Sequence, residues 1–265
     1  MDSTDIVSGD TVTFTNSAVF DDRHVDTGKT VTVSSISISG GSDQGNYTLA
    51  TTSGSTTADV TQLASVTWNG NAGDGLWSSA SNWVGGALPD QTNVAAVVIP
   101  SGESVTFDSD TVGTIGSTIA NSGALTFDGS NDFTFAQVIS GTGTLTKSGS
   151  NTLTLSATNT YSGNTTVSAG ELTITGAQSS NSNISVASGA TYNANSTDEV
   201  GRLTGSGSVV ITNGSTLTIT IGNGTITTFS GIISGSGNLV KRVEELLFLI
   251  RQTLILEILT FMTVL

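Results

Sequence analysis

The sequence feature that most restricts the fold is a series of short apolar–polar runs, separated by glycine, in residues 111–240. Runs such as Thr152–Leu155 and Leu172–Thr175 alternate with period two, which is typical of β-strands with one buried face. One stretch, Phe135–Lys147, returns 94 residues later as Phe229–Lys241. An internal repeat of this kind indicates stacked units that share one core.

Composition supports an extended, strand-rich chain. Serine and threonine make up 83 of the 265 residues and glycine another 32, and these are poor helix formers. The formal net charge is −14, and only four basic residues precede position 241. Nucleic-acid binding is therefore excluded, because it requires clustered Lys and Arg to neutralise phosphates. The acidic excess also disfavours contact with anionic membranes.

The chain contains no cysteine, so disulfides, thiol catalysis and thiolate metal sites are excluded. Its first residues, Met1–Asp5, contain neither a basic region nor an apolar run, so we expect no signal peptide here. If the protein acts outside the cell, the expectation is that this chain is a fragment whose beginning is missing. We also expect no transmembrane segment.

Residues 1–63 alternate strand-like runs with turn signals and predict a small antiparallel module. The run SGDTVTFTNSAVFDD, the segment VDTGKTVTVSSISISGGSDQGNYTLATT and the later ADVT resemble the MBG or YDG modules of filamentous-haemagglutinin-like bacterial surface proteins. The usual opening strands of that module are missing, which implies a truncated copy.

Residues 64–110 contain all three tryptophans, Trp68, Trp77 and Trp83, in the run TWNGNAGDGLWSSASNWVGGALP. This run is similar to the segment that precedes the solenoid in large bacterial autotransporters. Two interpretations are open: the rings seal the first coil of a solenoid, or they form an exposed platform that stacks on glycans. We favour sealing and retain glycan contact as the alternative.

After Gly141 the chain reads GTLTKSGSNTLTLSATNTYSGNTTVSAGEL, which resembles the autotransporter-associated β-strand repeat. The resemblance implies a parallel (right-handed) β-helix over residues 111–240, with aliphatic side chains inside and Gly or Asn at tight corners. Lysines 147 and 241 are expected on the outer face, and the tyrosine over a corner. The positions that match the repeat are Lys147, Asn159, Tyr161, Gly163 and Gly170.

Residues 241–265 have a different composition, without Gly, Ser or Asn and with seven Leu. The apolar stripe from Leu247 to Leu265 allows a capping helix, whereas Arg251 and Glu257 disfavour a membrane span. We favour a frameshift hypothesis, because shifting the reading frame by one base is compatible with a further copy of the repeat. The nucleotide sequence tests it, and a stop codon in that frame would exclude it.

Catalytic, cofactor and metal residues are not predicted. His24 stands alone in DDRHVD and is expected to be solvated. The acidic residues Asp5, Asp10, Asp21, Asp22 and Asp26 could bind calcium, but no recognised loop arranges them. The adjacent pair Asp198 and Glu199 should point to opposite sides of a strand, which disfavours paired-carboxylate catalysis.

The resemblance implies a non-enzymatic passenger of a secreted or cell-surface adhesin that presents its solenoid to host or environmental surfaces or glycans. It also implies an outer-membrane translocator as partner. The alternative function is a carbohydrate-active passenger that binds or degrades polysaccharides.

Overall fold

The computed structural model describes residues 6–89, 93–108, 118–222 and 227–243, which form two compact units divided between Leu63 and Ala64. The described residues contain 22 β-strands and only two short 3-10 turns, Gln44–Asn46 and Ala80–Asn82. The prediction of an all-β chain is therefore confirmed.

The first unit is an antiparallel three-stranded sheet in the order β1–β2–β3. Its strands are β1 (Thr13–Phe20), β2 (Asp26–Gly40) and β3 (Gly54–Val60). β2 includes residues 26–28, whose Asp and Gly are residue types typical of a turn, with a register shift between Asp26 and Lys29. Pairing with β3 extends the strand across a local turn signal.

The second unit is a β-solenoid of about seven coils, built from parallel sheets. The sheet nearest the start of the unit has the order β10–β7–β5–β4. Its strands are β4 (Val66–Thr67), β5 (Ala96–Ile99), β7 (Thr118–Asn121) and β10 (Ile139–Ser140).

Two six-stranded parallel sheets form most of the solenoid. The hydroxyl sheet, named for its outer surface, consists of β6 (Ser104–Phe107), β8 (Ala124–Phe127), β11 (Thr144–Lys147), β13 (Thr165–Val167), β15 (Ile184–Val186) and β18 (Leu203–Gly205). The opposing sheet consists of β9 (Phe133–Phe135), β12 (Thr152–Leu155), β14 (Glu171–Ile174), β16 (Thr191–Ala194), β19 (Ser208–Ile211) and β21 (Ile232–Gly235).

A three-stranded parallel sheet in the order β17–β20–β22 completes the later coils. Its strands are β17 (Asp198–Val200), β20 (Thr216–Ile221) and β22 (Asn238–Val243). The segment 241–265 therefore begins as strand, because β22 extends to Val243. Residues 244–265, on which both the capping-helix alternative and the frameshift hypothesis fall, lie outside the described residues.

Register explains why the interior is continuous from coil to coil. Leu125 pairs with Leu145, which pairs with Thr165, so each coil repeats after 20 residues at this point. Because side chains alternate across a strand, one set of positions always faces inward and the other faces solvent. The inward rows are almost fully buried, as at Leu145 and Leu153, and hold the solenoid together through apolar burial.

Candidate functional site

The three tryptophans lie at the start of the solenoid and are buried, with 2%, 4% and 1% of Trp68, Trp77 and Trp83 exposed. Trp83 packs edge-on against both of the others, at centroid distances of 4.9 Å to Trp68 and 4.5 Å to Trp77. Its indole N–H donates to the carbonyl of Trp77 at 3.0 Å. These faces are covered by protein and offer no exposed stacking platform for a sugar ring.

The tryptophans continue into an aromatic column inside the solenoid. Trp77 stacks on Phe107 at 4.1 Å, and Phe107 stacks on Phe127 at 4.7 Å. Stacking in register follows from the parallel pairing of Phe107 with Phe127. The tryptophan segment therefore closes the first end of the apolar interior, where the core would otherwise meet water.

Polar groups hold this closing segment in place. The buried Asn82 accepts the N–H of Ala72 at 2.7 Å and donates to Asp74 at 2.7 Å. Asp74 also accepts from the Ser79 hydroxyl and from the N–H of Leu76. These hydrogen bonds stabilise the carboxylate and lower the pKa of Asp74, the largest effect coming from Ser79.

Lys147 corrects the expectation that the repeat lysine lies on the outer face. It is fully buried, in an inward row between Phe127 and Val167. Its ammonium donates to the carbonyls of Gly149 and Ala169, and burial lowers the pKa of Lys147. Side chains alternate along β11, and this alternation places Lys147 inside the solenoid. The prediction of an outer position was wrong because it considered only the charge of the lysine. Lys241 is exposed.

The other repeat positions join neighbouring coils. The buried Asn159 accepts the N–H of Ile139, 20 residues earlier, at 2.9 Å. A Cβ on Gly163 would lie 2.1 Å from the carbonyl oxygen of Gly143, so only glycine fits this close approach. Gly170 has φ of 62°, and a Cβ there would meet backbone carbonyls at 2.5 Å.

Tyr161 lies inside the solenoid with no exposed surface, not over a corner as expected. Its hydroxyl is 2.7 Å from the Thr165 hydroxyl, which is 3.0 Å from that of Ser182. Ser182 in turn donates to the carbonyl of Gly163 at 2.9 Å. Burial raises the pKa of Tyr161 to about 12, so it stays neutral and serves as a hydrogen-bonding core residue.

The carboxyl group of Asp198 is buried inside the solenoid, and the sequence analysis did not predict this burial. Only 5% of it is exposed, and one carboxyl oxygen accepts the N–H groups of Gln178 at 2.8 Å and Glu199 at 3.0 Å. Burial raises the pKa of Asp198 to about 6. Burial is also the main reason that the pKa of the neighbouring Tyr192 lies well above its ordinary value. The alternation in β17 does separate Asp198, inside, from the half-exposed Glu199, as predicted.

The outer surface of the hydroxyl sheet carries a straight row of hydroxyl side chains, here called the hydroxyl column. Parallel pairing places each member directly beside the next, and every member is partly exposed. Adjacent members are about 4.8 Å apart, the spacing of paired strands. The column consists of Thr106, Thr126, Thr146, Thr166, Ser185 and Thr204.

The histidine and acidic residues considered for catalysis or metal binding do not come together as a site in the described part of the chain. His24 is exposed, and Asp21 and Asp22 pair with Lys29; Asp5 lies outside the described residues. Among the residues that the structure describes, no three His, Cys, Asp or Glu side chains group closely enough to hold a metal ion. Across the same ranges, no helix combines the length and apolar character that a bilayer crossing demands.

Comparison with known families identifies two segments. The family model of the YDG domain matches residues 2–54, and that of the passenger-associated-transport-repeat matches residues 145–174. Curated proteins and solved structures give no significant match. The two family matches and the β-solenoid together fit an autotransporter passenger, so the predicted resemblance is confirmed. The transport repeat implies an outer-membrane translocator as partner and suggests a secreted or cell-surface protein.

Proposed function

We propose that this chain is a non-enzymatic adhesive passenger, displayed at the bacterial cell surface, whose solenoid attaches to hydroxyl-rich glycans on a host or environmental surface. The hydroxyl column is the observation that carries this proposal. It repeats one kind of side chain on six consecutive coils of a rigid parallel sheet. Such a row suits an extended polymer better than a single small molecule.

The chemistry of the column supports weak, repeated contacts. Each Ser or Thr hydroxyl both donates and accepts a hydrogen bond, as sugar hydroxyls do. A single such bond contributes only about 0.5–1.5 kcal/mol, so one coil alone binds weakly. Several coils engaged by the same polymer raise the overall affinity through effective concentration.

The neighbouring outward row on the same sheet adds amide and charged groups. In this row Asn183 donates to Asn164 at 2.9 Å, which orders two side chains on adjacent coils. Asn and Arg side chains provide further hydrogen bonds to sugar hydroxyls. The row consists of Ser104, Ala124, Thr144, Asn164, Asn183 and Arg202.

Removal of the hydroxyls tests the proposal. The triple variant Thr126→Val, Thr146→Val and Thr166→Val keeps side-chain shape and β-propensity but removes three adjacent hydroxyls from the column. The full chain is screened on an array of immobilised polysaccharides, and the best glycan is then measured by biolayer interferometry. We expect at least a ~10-fold loss of affinity, the equivalent of about 1.4 kcal/mol.

The matched control is Thr134→Val with Thr154→Val, which removes two adjacent hydroxyls from the opposing sheet. We expect less than a ~2-fold change for this control, within the usual effect of surface substitutions. Equal binding by the triple variant and the parent would exclude the hydroxyl column as the attachment surface. Release of soluble sugars from a polysaccharide would instead favour the carbohydrate-active alternative.

A further inference from the structure

Most of the hydroxyl column is free to bind a ligand. Five of its hydroxyl groups form no hydrogen bond with any residue that the structure describes, namely those of Thr106, Thr126, Thr146, Thr166 and Ser185. The sixth, that of Thr204, donates to the carbonyl of Ile184 at 3.3 Å. A ligand therefore competes only with water for five adjacent hydroxyl groups.

The central coils of the hydroxyl sheet carry no charge beside the column. A second outward row follows the column two residues later in each coil, and backbone hydrogen bonds keep it aligned from coil to coil. It consists of Asp108, Asp128, Ser148, Ser168, Ala187 and Ser206. In the two flanking rows, the charged residues lie only at the ends, with Asp108 and Asp128 at one end and Arg202 at the other. The three coils between them suit an uncharged ligand, and the net charge of −14 opposes an anionic polymer.

None of the three outward rows contains an aromatic side chain. The apolar face of a sugar ring therefore finds no ring on which to stack. The equatorial hydroxyls of a hexose lie at the edge of its ring, and they donate and accept hydrogen bonds as Ser and Thr hydroxyls do. A hexose thus meets the column with its edge.

The register of the sheet sets the repeat of a polymer bound in this way. Column members are about 4.8 Å apart, so the six members extend over about 24 Å. Hexoses joined by β-1,4 bonds, which are equatorial at both ends, form an extended chain that advances by nearly one strand spacing per sugar. The axial bond of an α-1,4 linkage curls the chain away from a straight row.

We propose that the hydroxyl column binds an uncharged β-1,4-linked polysaccharide whose chain runs parallel to the solenoid axis, with one sugar on each coil. This inference rests on the proposed function and adds the linkage class and the direction of the chain. A chain that instead ran along one strand would contact only the three outward side chains of a single coil, such as Thr144, Thr146 and Ser148.

Oligosaccharides of defined length test both additions. Cello- and chito-oligosaccharides of two to six sugars, uncharged and β-1,4-linked, are titrated into the full chain and followed by NMR. We expect the hexamer of at least one series to bind at least ~10-fold more tightly than its dimer, because each sugar adds hydrogen bonds to a further coil. Malto-oligosaccharides, isomers of the cello series with α-1,4 bonds, should gain less than ~2-fold over the same lengths.

Two matched variants locate the chain on the column. Every way of placing a tetramer on six coils includes the third coil, whereas most placements avoid the first. Thr146→Val, on the third coil, should therefore weaken tetramer binding at least ~3-fold, and Thr106→Val, on the first, less than ~2-fold. Both variants should weaken hexamer binding to a similar degree. Unchanged thermal unfolding shows that each variant keeps its fold.

The outcomes separate this inference from the proposed function. Affinity that stops rising at two or three sugars would overturn the direction, because the chain then crosses the column along one strand. Equal gains in the malto series, or binding of other array glycans without either β-1,4 series, would overturn the linkage class. In these cases attachment to glycans through the column still stands, whereas failure to bind any glycan would remove the proposed function as well.

Discussion

At the scale of single residues, the solenoid differs from a simple aliphatic stack through the polar side chains in its interior. Lys147, Tyr161 and Asp198 each lie at an inward position and are nearly or fully buried. Each is held by hydrogen bonds to backbone or side-chain groups. Such groups are costly to bury and therefore respond strongly to substitution and to pH.

The first prediction concerns Asp198. Burial raises the pKa of Asp198 to about 6 in the folded chain, from an ordinary value of about 3.8, so between these two pH values the folded state binds a proton that the unfolded state has lost. Stability should therefore fall as pH rises from about 4 to about 6 and stay at the lower level above that, with a ceiling of about 3 kcal/mol.

Asp198→Asn should remove this contribution and stabilise the protein at pH 7.5, because an amide oxygen can still accept the two backbone N–H groups. Urea unfolding at pH 5 and pH 7.5 measures the difference between variant and parent. Glu199→Gln is the adjacent control, since Glu199 is half-exposed. Identical pH dependence in parent and Asp198→Asn would contradict the assignment.

The second prediction compares the two lysines of the internal repeat. Lys147→Ala should destabilise the chain by about 2–4 kcal/mol, because it leaves a cavity and two carbonyls without their donor. Lys241→Ala, at the equivalent exposed position, should change stability by less than about 0.5 kcal/mol. Chemical denaturation of both variants tests this, and equal effects would contradict the buried placement.

At the scale of elements, strand pairing and the closing segment determine how the repeat is organised. The solenoid strands have only two to six residues and pair in register over successive coils, so no strand is stable without its neighbours. The tryptophan segment contributes little regular structure of its own. It acts instead as the cover of the first coil through its side chains.

The third prediction tests that cover. Trp83→Ala should lower the free energy of unfolding by about 3–5 kcal/mol, since it removes the most buried ring at the end of the core. Thermal unfolding followed by circular dichroism gives the measurement. Leu88→Ala, at a 37%-exposed residue of the same segment, is the control. A small effect of Trp83→Ala would show that the first coil does not depend on this ring.

At the scale of the whole molecule, we expect the large negative net charge to determine solubility and association between chains. The sequence pI is about 4.1 and the formal net charge is −14 at pH 7. We expect mutual repulsion at neutral pH to oppose association of chains through the apolar side chains that the last described coil exposes.

The fourth prediction follows from this charge. Solubility should be lowest near pH 4, where the net charge vanishes, and should recover at neutral pH. Static light scattering from pH 3 to pH 8 measures the effect, which should grow with salt around neutral pH as repulsion is screened. Aggregation that peaks at neutral pH would contradict the prediction.

Much of the architecture was predictable because it depends on local alternation and repetition. The strand-rich class, the YDG-like module and the transport repeat were all recognisable from short patterns that needed no knowledge of distant contacts. The candidate sites were less predictable. The pattern of β17 separates Asp198 from Glu199, but whether the inner carboxyl is covered depends on neighbouring coils.

The sequence by itself determined that the chain is all-β and repetitive, because period-two alternation and glycine spacing are properties of consecutive residues. Only the tertiary structure decided that Lys147 lies inside, that the tryptophan faces are covered and that six hydroxyl side chains form one straight column. These features depend on the register between strands about 20 residues apart, and register is set by packing of the whole coil.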